Sequence, residues 1–217
     1  MSYLANRLLM VPIVLIALTF HEFSHGWVSS KLGDPTPRMT GRLTLNPLAH
    51  LDPVGALLMV ITGFGWARPV QINPGYYKNP KRGMAITAAA GPLSNLVLAF
   101  AVMLIYTLIL ILNYRWGLFG SSIDTISSFV IMFVRGNLCF MVFNVIPIPP
   151  LDGSRVLGVF LSDRAYFKLQ QFERYSFILI IVLSLLGVFD RIIGTGVSAV
   201  LSGMINICNT ILRWNVL

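Results

Sequence analysis

GMAITAAAGPLSNLVLAFAVMLIYTLILILNY, residues 83–114, runs from Arg82 to Arg115 without one Asp, Glu, Lys or Arg. A charge-free apolar stretch longer than about 18 residues is long enough to cross the hydrocarbon core of a bilayer. The stretch between Arg191 and Arg213 is a second of this kind. Composition agrees: 56% of the 217 residues are hydrophobic and 11% are charged, against about 25% charged in an ordinary soluble domain. Such a chain cannot cover a soluble surface with polar groups, so its expected solvent is lipid. The expected fold class is an all-α polytopic membrane protein, a transmembrane helix bundle forming a single membrane-embedded domain over residues 1–217.

Working outward, four apolar segments emerge. The first, from about Tyr3 to Leu32, is ended by Gly33-Asp34-Pro35. It lacks a small-residue cleavage site and reads as retained. The second is the stretch quoted above, about Met84 to Asn113. The third runs from about Ile126 to Leu161 and is interrupted by Pro147, Pro149 and Pro150. The last begins near Tyr175 and passes a break at Gly187 to Arg191. Either one span or a hairpin of two fits residues 175–214.

Residues 33–83 differ from these. Gly41-Arg42-Leu43-Thr44-Leu45 alternates as a short strand should. Pro53 to Ile61 is apolar but too short to span, and is expected to dip into the membrane and return. Gly63-Phe64-Gly65-Trp66 reads as a turn with an interfacial aromatic. The region is also far richer in Lys and Arg than residues 114–125, so the positive-inside rule puts it in the cytoplasm, with the cell membrane as the expected location. The net charge of +8 reflects basic residues spread between apolar segments. No aromatic-basic platform for nucleic acid is present, and Cys139 and Cys208 form no metal motif.

The chemistry is concentrated in the first segment. His21-Glu22-Phe23-Ser24-His25 is H-E-x-x-H. On a helix, residues four apart share a face, so both imidazoles can reach one metal ion, with the Glu beside the first ligand as a general base. Each ionisable group is costly in hydrocarbon, by about 2.5 kcal/mol or more for a charged residue at mid-span. Three of them in one turn need a shared partner, and one zinc ion per chain supplies it.

Catalytic zinc usually takes three protein ligands. His50, Asp52, Asp124, Asp152, Asp163 and Asp190 are candidates for the third. Most lie in loops or near segment ends. Asp152 lies in an apolar segment directly after prolines, which break helices, and unwound backbone at membrane depth is tolerated only in a protein interior or a wet cavity. Gly153 beside it permits close packing.

Four stretches in order now carry a resemblance: the H-E-x-x-H turn, Gly41-Arg42-Leu43-Thr44-Leu45-Asn46-Pro47, Gly91-Pro92-Leu93-Ser94-Asn95, and Asn144-Val145-Ile146-Pro147-Ile148-Pro149-Pro150-Leu151-Asp152-Gly153. The chain resembles the site-2 intramembrane zinc metalloproteases, as a minimal, core-only member whose motifs lie within residues 3–161. The resemblance implies that His21, His25 and Asp152 hold zinc, that Glu22 is the general base, and that the substrate is a transmembrane segment of another protein. It also suggests that Asn95 and Asn144 lie near the active site and contact the substrate. Taken alone, each Asn reads equally as a helix–helix hydrogen bond. Two rival functions stand beside this one: an inactive relative that binds membrane helices, and a metal transporter. The transporter would need a polar path through both faces, and the remaining spans hold no His, Asp or Glu apart from segment-end Asp190.

Overall fold

The computed structural model describes residues 3–62 and 67–216. Its first helix, α1 (Tyr3–Lys31), covers the first apolar segment. Three short helices follow: α2 (Thr36–Met39), α3 (Pro47–His50) and α4 (Pro53–Thr62). A 3-10 turn at Pro74–Tyr76 leads into the long α5 (Pro80–Trp116). Then come α6 (Ser122–Val145), α7 (Asp152–Gly158), α8 (Asp163–Leu185) and α9 (Val188–Val216). Among the described residues four helical stretches are long and apolar enough to cross a membrane: Leu9–Lys31, Pro80–Trp116, Ser122–Val145 and Val188–Arg213. This is an all-α membrane bundle.

The helix ends follow local chemistry. At α5, the Asn79 side chain accepts from the Arg82 amide, and Pro80 fills the first helical position, where no backbone donor is needed. The helix closes at Gly117 with φ 62°, the left-handed conformation that glycine takes at least cost. Ser162 caps α8 by accepting from the Ala165 amide. Helix α6 stops at Val145 because Ile146 precedes Pro147, which pushes it to φ −61°, ψ 129°.

The last apolar segment resolves into two helices that meet at Gly187 (φ 68°). The charged Asp163, Arg164, Lys168, Glu173 and Arg174 stand in the first half of α8, so α9 alone of the pair is apolar enough to span.

One expectation is overturned. Residues 41–45 form no strand, and the described residues hold no β-ladder beyond an isolated bridge between Leu51 and Ala67. Alternation over five residues did not make a strand here because the backbone groups are spent locally. Gly41 has φ 67°, the amides of Arg42 and Leu43 both donate to Pro37 O at 3.0 Å, and Thr44 O accepts from His50 Nε2 at 2.9 Å. The apolar 53–61 stretch is the ten-residue helix α4, about 15 Å long at 1.5 Å per residue and too short to cross. The expected turn at Gly63 to Trp66 lies outside the described residues.

Helix α5 is the hub, packing against α1, α6, α7 and α9. On one side Ala99 and Met103 of α5 bury against Val134 and Leu138 of α6 and Val197, Met204 and Cys208 of α9. On the other, α1 lies against α5 and α6. The proline loop after α6 turns the chain back so that α7 packs on α5 and α6. A Cβ on Gly153 would stand 2.0 Å from Val145 O, so only glycine lets α7 sit this close. Lys81 Nζ, bonded to Leu161 O and to Asp163 Oδ1 at 3.1 Å, ties the start of α5 to the α7–α8 junction.

Candidate metal centre

His21 and His25 stand one turn apart on α1, both buried, with ring centroids 4.6 Å apart. Asp152, in the first turn of α7, brings Oδ2 to 3.1 Å from His21 Nε2 and 3.2 Å from His25 Nε2. The three side chains offer ligand atoms within 4.8 Å of one another. Tetrahedral ligands about 2.0–2.1 Å from zinc stand about 3.3 Å apart, so the observed spacing suits that ion.

The proton positions sharpen the point. His25 Nδ1 lies 2.7 Å from Thr87 O, a carbonyl that can only accept. His21 Nδ1 lies 2.8 Å from Asn95 Oδ1, and Asn95 Nδ2 donates to Ala17 O at 2.9 Å, which fixes which end of the amide faces the ring. Each imidazole therefore carries a proton on Nδ1 and turns Nε2, its ligand atom when neutral, toward Asp152. Asp152 Oδ2 is itself buried without a hydrogen-bond partner. A buried carboxylate oxygen faced by two imidazole nitrogens at 3.1 and 3.2 Å needs a cation among them, a metal ion or a proton. The donor set, two imidazoles and a carboxylate each oriented from behind, fits zinc.

Gly91 lets α5 approach the site. A Cβ there would lie 2.5 Å from His25 Cε1 and 2.6 Å from His21 Cε1, so any side chain would push both rings out of place. Glu22 stays outside the three-atom cluster and is buried, and its Oε2 accepts from the Val70 amide at 2.7 Å. The other candidates are engaged elsewhere. His50 is fully buried and bonded to Thr44 O. Asp52 Oδ1 accepts from the Val54 and Gly55 amides, both at 3.0 Å, and its carboxyl is held below the usual carboxylate range by those bonds and by Arg68. Asp163 pairs with Lys81. Asp124 and Asp190 sit in the first turns of α6 and α9.

Asn95 is fully buried behind His21, its amide shared among His21, Ala17 and, at 3.2 Å, Asn137. The helix–helix hydrogen bond is thus present, and it runs to a metal-site histidine. Asn144 is half-buried in the last turn of α6 and donates to Phe140 O at 3.1 Å. Sequence reasoning passed over Asn137, Thr87, Tyr77, Ser29 and Asp34. One signal was available: His21, His25 and Ser29 repeat at a spacing of four, so Ser29 continues the ligand face of α1.

A helical membrane protein that gathers an H-E-x-x-H turn and a distant carboxylate into one buried cluster has the makings of a metalloprotease. Comparison with known proteins agrees. The Bacillus subtilis (strain 168) protein named "Putative zinc metalloprotease YwhC" is 37% identical over 174 residues, 80% of this chain and 78% of the relative. "Putative zinc metalloprotease MJ0611" of Methanocaldococcus jannaschii is 33% identical over 167 residues, 72% of this chain and 74% of the relative. "Putative zinc metalloprotease Rip2" of Mycolicibacterium smegmatis is 26% identical over 196 residues, 88% of this chain and 72% of the relative. No family model matches, and no solved structure matches. The chain belongs to the family of these relatives, the site-2 protease-like zinc metalloproteases.

Proposed function

We propose that this chain is an intramembrane zinc metalloprotease that hydrolyses peptide bonds in or near transmembrane segments of other membrane proteins, the step that releases a regulator from a membrane. The observation that carries this reading is the convergence of Asp152 Oδ2 of α7 on His21 Nε2 and His25 Nε2, which stand on a helix apolar enough to span. His21, His25 and Asp152 would hold one zinc per chain. Bound there, zinc supplies Lewis-acid polarisation of a scissile carbonyl and acidifies water toward a pKa of about 7. Glu22 moves the protons: it takes one from the attacking water and delivers it to the leaving amine. The Val70 amide holds one carboxylate oxygen of Glu22 and leaves the other for this work. Asn144, whose amide NH2 is bonded to Phe140 O, offers its side-chain oxygen to an unwound substrate backbone. Asn95 serves the substrate indirectly, by orienting His21.

The substrate must unwind locally, because a transmembrane helix hides its peptide groups in its own hydrogen bonds. His25 lies about 9 Å along the helix from Lys31 at 1.5 Å per residue, so water has a short path to the site from that end. Comparing the membrane proteome of cells carrying the wild-type chain with that of cells carrying Glu22→Gln tests the reading. Truncated membrane proteins are expected with the wild type alone. Identical proteomes, with zinc bound in both, would favour the inactive helix binder.

We infer from its Lys and Arg residues that the basic end of the bundle faces the cytoplasm. Lys78 and Ser122 are exposed and stand at opposite ends of α5 and its following loop. A cysteine in place of Ser122 should react with an impermeant maleimide added outside intact cells, and one in place of Lys78 only after lysis. Reaction of the Lys78→Cys variant from outside would reverse the topology.

A further inference from the structure

A buried chain of hydrogen bonds runs from Asp34, just past the end of α1, to the metal-site histidine His25. Asp34 Oδ2 accepts from Ser29 Oγ at 2.7 Å and from the Asn73 amide at 2.8 Å. Ser29 Oγ is 2.7 Å from Tyr77 Oη, and Tyr77 Oη is 3.1 Å from Thr87 Oγ1. The carbonyl of that same Thr87 accepts from His25 Nδ1. Ser29 and Thr87 are 0% exposed, Asp34 1% and Tyr77 5%.

The carboxylate sets the direction of every proton in this chain. Asp34 can only accept, so Ser29 donates to it. Ser29 has one hydroxyl proton, so Tyr77 donates to Ser29. Tyr77 likewise has one, so Thr87 donates to Tyr77. The ring of Tyr77 has a dedicated seat: a Cβ on Gly83 would stand 2.4 Å from Tyr77 Cδ2. The segment from Val70 to Tyr77 is thereby fastened at three points. Val70 holds Glu22, Asn73 holds Asp34, and Tyr77 holds Ser29 and Thr87. A stretch free of α-helix and strand gains a fixed path from these bonds.

We infer that Asp34 and Tyr77 are positioning residues for the metal centre: through Ser29 and Thr87 they orient His25, and through the 70–77 segment they hold Glu22 in place. This inference rests on the metal-site reading above. It predicts a cost in metal affinity from residues that touch neither metal nor substrate, smaller than the about 10- to 100-fold typical of losing a direct hydrogen-bond partner of a ligand, because Tyr77 and Asp34 reach His25 only through Thr87.

The test uses the full-length chain in detergent, wild type against Tyr77→Phe, Asp34→Asn and His25→Ala. Zinc affinity is read by chelator competition, and unfolding midpoints are read with and without zinc. Tyr77→Phe keeps the ring on Gly83 and removes only the hydroxyl, so it carries the test if Asp34→Asn fails to fold. The expected result is a zinc affinity weakened in Tyr77→Phe by up to about 10-fold, the low end of the loss from removing a direct outer partner, a smaller zinc-induced rise in midpoint, and a cobalt-substituted absorption band shifted from that of the wild type. A purely structural role would lower the midpoints with and without zinc equally and leave affinity and spectrum unchanged, which overturns the inference while the metal site stands. If instead His25→Ala binds zinc as tightly as wild type, the metal-site reading falls, and this inference with it.

Discussion

Glu22→Gln is expected to lower cleavage of a membrane substrate by about 10²- to 10⁴-fold, the usual contribution of a general acid–base, while zinc stays near one per chain. The geometry separates the two roles. The cluster that fits the ion is made of His21, His25 and Asp152, with Glu22 outside it. Glutamine has the same shape, and its carbonyl oxygen can still accept from the Val70 amide that now holds Glu22 at 2.7 Å. The fold and the metal site should therefore survive, and what is lost is the capacity to take a proton at neutral pH. Elemental analysis and turnover on the same sample give both numbers. Zinc loss alongside activity loss would make Glu22 a ligand. Undiminished turnover would remove it from the mechanism.

The parts of this molecule that the sequence discloses are those whose signal is local. A long charge-free run can hardly be anything but a span, so α5 and α9 were legible from residues 83–114 and 192–212. H-E-x-x-H works by helical spacing alone, and Asp152 was singled out by the prolines that unwind the chain before it. Local signals also mislead. Residues 41–45 alternate as a strand would, yet Gly41 takes a positive φ and Pro37 O accepts two of the amides a ladder would need. The hydrogen bonds behind the histidines were hidden for a different reason. Asn137 lies behind His21 through Asn95, and Thr87, Tyr77 and Asp34 lie behind His25; all are ordinary polar residues that only the folded bundle brings together. Their residue types carry no spacing rule, and the bonds that join them to the site, Asn95 to Asn137, Ser29 to Tyr77 and His25 to Thr87, span more than 40 residues each.

Asp152→Asn is expected to abolish zinc binding, and with it all activity, without destabilising the metal-free protein. The two effects have one cause. Oδ2 of Asp152 is buried and faces two Nε2 atoms at 3.1 and 3.2 Å. With a cation present this arrangement is favourable. Without one it leaves a buried carboxylate that only a protonated imidazole can pair, and burying that charge costs stability. An asparagine NH2 in the same place could donate to a neighbouring Nε2, so the metal-free variant should melt at or above the metal-free wild type. Added zinc should separate them the other way. At a thousand times its dissociation constant a ligand stabilises the folded state by about 4 kcal/mol, a gain open to the wild type alone. Asp163→Asn and Asp124→Asn serve as controls. Asp163 is 97% exposed in its pair with Lys81, a kind of contact worth at most about 1 kcal/mol, and Asp124 is exposed at the start of α6. Both should keep zinc and activity, which excludes a general effect of removing one negative charge from a chain of net charge +8. If Asp152→Asn retains zinc while another aspartate variant loses it, the third ligand lies elsewhere, and the approach of Asp152 to the two histidines of α1 has no catalytic purpose.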